Sequence, residues 1–172
     1  MSMATNLVDA ISERITERFK SKPNIFAMFR ELDTGPEEWF RVEILDVLSS
    51  LKEIETKSTN QEYKNITGRP DFVLNHGGKE YVVELKVLPT DRNYKTGYQR
   101  FCAGKSNRAD FDALENDEVD LVIYIHWPLR DDFVETSNKL RDRYRVTCHK
   151  AELIKCNGLE VTVSFWIAGD GN

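Results

Sequence analysis

Two acids and a lysine carry the most chemical information in this chain of 172 residues. Glu84 and Lys86 stand two apart in the run Lys79 to Leu88, KEYVVELKVL. A strand with that spacing sends both side chains from one face, and Val83, Leu85 and Val87 from the other. Charged groups on so apolar a strand need partners, because burying them alone is costly. Asp71 opens the preceding strand, and Asn75-His76-Gly77-Gly78 supplies a tight turn between the two. Such a hairpin brings Asp71 near Glu84 at one end of a sheet. Two neighbouring carboxylates repel unless one is protonated or a cation lies between them. Oxygen donors of this kind suit Mg2+ or Mn2+. The adjacent lysine could then position a water or help to deprotonate it.

A fourth member lies upstream. On a helical wheel Glu43 falls between Trp39 on one side and Phe40 and Val47 on the other, inside the apolar arc. Glu37, Glu38 and Glu53 fall outside it. Packing that arc on a sheet would point Glu43 toward the same metal site, whereas a place on the rim would let it reach water. Downstream, Arg92, Lys95, Arg100, Lys105 and Arg108 follow one another without an intervening acid, and Tyr94, Tyr98 and Phe101 are interleaved. That run is either a solvated face or a phosphate-binding segment. A second run, Lys139 to Lys150, fits cations gathered near the end of a helix.

The elements that must hold these groups follow from periodicity. Leu7, Ile11, Ile15 and Phe19 recur every fourth residue and predict an amphipathic helix over Asn6 to Lys20. Asn24 is a candidate cap for a short helix ending near Leu32. Asp33-Thr34-Gly35-Pro36 is a turn that starts a third helix, about Pro36 to Ile54. The hairpin comes next, then a loop over Pro89 to Thr96. Helical segments are expected around Gln99 to Ala103 and Ala109 to Leu114. Val119 to Trp127 reads as a buried strand and Asp131 to Tyr144 as a helix. Thr147 to Lys155 and Leu159 to Ala168 form a closing strand pair around Asn157-Gly158. The sum is a single α/β domain around a mixed sheet. Its N-terminal helical segment covers about 4–32, its core about 36–127 and its C-terminal helix and strands about 131–168.

With these residues in place, the chain resembles the PD-(D/E)xK nuclease superfamily, which includes restriction endonucleases and Holliday-junction resolvases. Pro70-Asp71 matches the PD element and Glu84-Leu85-Lys86 the ExK element. Glu43 matches the acid that many members carry on the first core helix. The resemblance spans about Pro36 to Trp127 and implies a restriction endonuclease-like α-β-β-β-α-β core. It further implies that Asp71, Glu84 and the Leu85 carbonyl bind Mg2+, with Mn2+ as substitute, and that Lys86 serves the attacking water. Gln99 is the candidate for a residue that many members place on the next helix, though an ordinary surface amide is the other reading.

The expected activity is therefore metal-dependent hydrolysis of phosphodiester bonds in DNA, by a restriction-type or related defence or mobile-element endonuclease. Arg92, Lys95, Gln99, Arg100, Lys105 and Arg108 are its expected nucleic-acid contacts. A homodimer is expected if both strands are cut. The competing reading is a non-cleaving DNA-binding or regulatory subunit that keeps the fold and works with a partner protein. A third is an α/β domain with no nucleic-acid role.

Composition sets the outer bounds. Hydrophobic content of 40% with 31% charged residues is that of a globular chain. No apolar run approaches the ~20 residues of a membrane span, and the first residues lack a signal-peptide pattern. Three cysteines suit a reducing cytoplasm better than a disulfide framework. His76, His126 and His149 show no zinc spacing with them. The net charge of −5 would argue against a polyanionic partner only if charge were spread evenly, and it is not.

Overall fold

The four-residue stripe Leu7, Ile11, Ile15 and Phe19 lies wholly buried on α1 (Met3–Lys20). The computed structural model describes residues 3–22, 24, 37–62, 69–88, 105–126, 133–156 and 159–169. The next helix, α2 (Glu37–Ser50), buries Phe40, Ile44, Val47 and Leu48. Phe40 meets Phe19 edge to face with ring centroids 5.2 Å apart, which locks the two helices together.

The helix expected to run to Ile54 stops at Ser50. Backbone bonds from Leu51 to Leu48 and from Ile54 to Leu51 turn the chain into β1 (Ile54–Ser58). That strand escapes sequence reading because Glu55, Thr56 and Lys57 are exposed in succession, so the two-residue alternation is absent. It is an edge strand, where charge protects the open side.

Five further strands complete one sheet. They are β2 (Phe72–His76), β3 (Lys79–Leu88), β4 (Leu121–His126), β5 (Val146–Cys156) and β6 (Leu159–Ala168). Their order is β1-β2-β3-β4-β6-β5, with β3 and β4 parallel and every other pair antiparallel. The hairpin between β2 and β3 turns on Gly77 and Gly78, whose φ of 60° and 82° suit a two-residue turn and favour glycine. From α2 to β4, with α3 (Lys105–Glu115) before β4, the described elements run α-β-β-β-α-β. The α/β class and the restriction endonuclease-like mixed sheet flanked by helices are as expected.

Two apolar cores sit on opposite faces of the sheet. Val83, Leu85 and Val87 face α1 and α2, with Phe72, Leu74, Ile123 and Phe165 beside them. Val82, Val122, Tyr124 and Trp166 face α3 and α4 (Phe133–Tyr144). Phe111 anchors α3 there. Its ring stacks against Tyr124 and Tyr144 at 5.4 Å each and meets Trp166 edge-on at 5.6 Å.

Several expectations lie outside the described residues: the short helix to Leu32, the loop Pro89 to Thr96, the helical turn Gln99 to Ala103 and the Asn157-Gly158 turn. The helix expected from Ala109 begins earlier, at Lys105. Among the described residues no helix is long and apolar enough to cross a membrane.

Candidate active site

The site begins one residue before β2. The hairpin register pairs Phe72 with Val83, so one further step sets Asp71 opposite Glu84. Val83 turns its amide and carbonyl toward β2, and alternation turns those of Leu85 and Val87 the same way. Past Phe72 no strand among the described residues receives them. Asp71 takes over instead, its Oδ2 accepting the Leu85 amide at 2.7 Å. The Val87 amide donates to Glu37 of α2. Two carboxylates thus cap the free edge of β3, a task every buried amide imposes on its surroundings. The backbone of Asp71 is itself pinned by Asn60, whose amide donates to the Pro70 carbonyl at 2.9 Å and reaches the Asp71 carbonyl at 3.3 Å.

Arg41 completes the setting of Asp71. Its Nε donates to Oδ1 at 2.9 Å and its Nη2 donates to the same oxygen. Nη1 meets Glu38, and Nη2 stands 3.6 Å from Glu37. Burial works against the guanidinium charge, and Glu38 and Asp71 outweigh it, so its pKa rises.

Glu84 leaves the α3 side of β3, together with Lys86. Its carboxyl is pushed up to about 8 by burial first, then by the charge of Asp71, a hydrogen bond with Asp71 and the charge of Asp110. Lys86 opposes this shift. At neutral pH Glu84 therefore keeps its proton when no cation intervenes, and it hydrogen-bonds with Asp71. Lys86 reaches Asp110 of α3, with Nζ 3.7 Å from Oδ2, and the Tyr124 hydroxyl donates to that oxygen at 3.3 Å. The Asp110 carboxyl is pushed up to about 6, burial outweighing the pull of Lys86 and Tyr124.

Asp71, Glu84, the Leu85 backbone and Lys86 are thus brought together. Glu43, expected to point toward the same site, is not. It accepts bonds from Arg18 Nε and Lys22 Nζ at 2.6 Å each. Burial raises its pKa, but Lys22 and Arg18 prevail and hold it below the usual range. The reason is that α2 packs on α1 as well as on the sheet, so its apolar arc serves two neighbours. Glu43 sits on the α1 side of that arc. Glu37, placed outside the arc by the helical wheel, is the α2 acid beside Lys86 and Asp71. Its pKa is raised by burial first, with Lys86 pulling the other way. A signal existed: Glu37, Arg41, Ile44 and Leu48 follow i, i+4, i+7, i+11, one stripe of the helix.

Arg41, Asp110 and Tyr124 also escaped the sequence reading. Asp110 adjoins the apolar stripe of Phe111 and Leu114, a weak indication that it faces the sheet's edge. Arg92, Lys95, Gln99 and Arg100 lie outside the described residues. Lys105 and Arg108 fall on the first turn of α3, and their side chains are likewise outside the description.

The donors available here are hard oxygens: the Asp71 and Glu84 carboxylates and the Leu85 carbonyl on their side of the strand. Mg2+ fits such a set, since it binds through one or two carboxylates and keeps several waters. Among the described residues no group of three or more His, Cys, Asp or Glu side chains is arranged to hold a metal ion. A thiol nucleophile is disfavoured at Cys148, whose pKa burial pushes up to about 12. No protein-family model, curated protein or solved structure matches the chain.

Proposed function

We propose that this protein is a metal-dependent endonuclease that hydrolyses phosphodiester bonds in DNA. The observation that carries the reading is the juxtaposition of Asp71 with Glu84, two carboxyl groups in hydrogen-bond contact beside Lys86 at an open strand end. The PD and ExK elements of the sequence fall on these three residues, and membership of that nuclease superfamily is part of the proposal.

Asp71, Glu84 and the Leu85 carbonyl are the groups that would hold Mg2+ or Mn2+. Such an ion supplies a water of lowered pKa and offsets charge developing on the phosphoryl group. Lys86, 19% exposed, is available to orient the attacking water and to stabilise the transition state. Glu37 keeps the end of β3 in place and adds negative potential on the α2 side. The basic segment from Arg92 to Arg108 would hold the DNA backbone, by contacts that position without specifying sequence. A two-fold dimer would let paired sites cut both strands. Sparse cysteines and a closed Cys148 thiol suit a cytoplasmic setting.

The test is a substrate panel of duplex, single-stranded and branched DNA with RNA as comparison, incubated with Mg2+ or Mn2+. Cleavage leaving 5′-phosphate and 3′-hydroxyl ends on DNA is the expected result. Absence of cleavage across the panel overturns the enzyme.

One observation favours a second reading. Arg41 and the Leu85 amide already engage both oxygens of Asp71, which ties the strand end without any cation. A non-cleaving DNA-binding or regulatory subunit, acting with a partner protein, would retain such a tie. DNA binding that persists in a chelator, with no cleavage, is its signature.

A further inference from the structure

Lys86 carries its ammonium on a flexible four-carbon stem, so strand geometry alone does not fix where the charge sits. Two groups from two neighbouring elements do. Lys86 and Tyr124 are partners in the parallel register of β3 and β4, which sets their side chains next to each other on the α3 face. Asp110 descends from α3 onto both, with Oδ2 3.7 Å from the ammonium and 3.3 Å from the Tyr124 hydroxyl. Asp110 is only 12% exposed, and the next residue is Phe111, gripped by Tyr124, Tyr144 and Trp166. The helix therefore cannot slide without breaking that aromatic cluster. Among the described residues, Glu84 on its own strand and Glu37 of α2 also bear on Lys86. Asp110 stands 3.7 Å from the ammonium, within ion-pair reach.

We propose that Asp110, backed by the Tyr124 hydroxyl, is a positioning residue that holds the Lys86 ammonium in its working place. The inference rests on the nuclease reading above and deepens it. Asp110 touches neither substrate nor cation in this account and acts only through Lys86. The Tyr124 hydroxyl occupies the shared oxygen of Asp110 and fixes the carboxylate plane. Such supporting contacts commonly alter turnover without altering ground-state binding.

The experiment measures kcat and KM for DNA cleavage, and Mn2+ affinity by calorimetry, for wild type, Asp110→Asn, Asp110→Glu and Tyr124→Phe. Asp110→Asn should lower kcat by about tenfold to a hundredfold with KM and Mn2+ affinity unchanged. Asp110→Glu should recover part of the loss, because it restores the charge. Full turnover in Asp110→Asn overturns the role. So does a joint loss of turnover and Mn2+ affinity, which would make Asp110 a metal ligand. If Asp110→Asn does not fold, Tyr124→Phe decides: it keeps the ring on Phe111, and reduced kcat at unchanged KM supports the role while full turnover overturns it. A wild type that cleaves nothing overturns the nuclease reading, and this role with it. That outcome is distinct from an active wild type with an equally active variant.

Discussion

The carboxylate of Asp71 accepts the Leu85 amide at 2.7 Å, one residue beyond the last pair of β2 and β3. A side chain continues the ladder that the backbone has abandoned, and Arg41 neutralises it from α2. Removing Asp71 therefore takes from the buried guanidinium its buried partner, leaving it to Glu37 and Glu38, and leaves the Leu85 amide bare. Asp71→Ala should cost about 3–5 kcal/mol, the loss typical of breaking a buried pair. Combining it with Arg41→Met should cost less than the sum of the single changes. Denaturant melts of the four proteins in the cycle check this, and additive losses would show that the two residues act independently.

Glu84 makes stability depend on pH in an unusual direction. Its folded-state pKa, about 8, lies above the ordinary carboxyl value of 4.5. The folded state therefore retains a proton that the unfolded chain has released. Stability then falls as pH rises through the window between those values. Asp110, raised to about 6, adds the same trend over a narrower window. Glu84→Gln cannot ionise, so without divalent cation it should have the higher Tm at pH 8 and a flatter profile from pH 5 to 8. Added Mg2+ should raise the wild-type Tm at pH 8 and leave that of Glu84→Gln nearly unchanged. Equal pH profiles for the two proteins would refute the assigned shift.

Glu43 and Glu37 exchange the roles that a helical wheel suggests for them. Glu43→Gln should lower stability by about 1–3 kcal/mol, through the lost bonds to Arg18 and Lys22, and leave cleavage unchanged. Glu37→Gln should lower cleavage instead, because Glu37 caps Val87 beside Lys86. Thermal melts paired with a nicking assay separate the two outcomes.

Phe111 tests whether the seat of α3 is as rigid as its ring contacts imply. The side chain is wholly buried, so Phe111→Ala should cost about 3–5 kcal/mol. A milder loss in a melt would mean that α3 resettles on the sheet.

These residues also show what a sequence can and cannot convey. Asp71, Glu84 and Lys86 are legible because the glycine pair fixes the count. Once Gly77 and Gly78 are the turn, His76 faces Lys79, and the register carries Asp71 to Glu84. Alternation then places Lys86 on the face of Glu84. Arg41 and Asp110 are only faintly legible: each lies on or beside an apolar stripe, but their relevance depends on where α2 and α3 settle on the sheet. Glu43 misleads for a related reason: an apolar arc does not say which of two neighbours it faces. The edge strand β1 is hidden because exposed residues in succession carry no period.

If Asp71, Glu84 and Lys86 form the proposed metal-dependent cleavage site, supercoiled plasmid reports it in one assay. Incubated with Mg2+, the wild type should nick or linearise the plasmid, and a chelator should stop it. Lys86→Ala should be inactive while melting as a folded protein. Cleavage by Lys86→Ala at the wild-type rate, or none by the wild type, would exclude such a site.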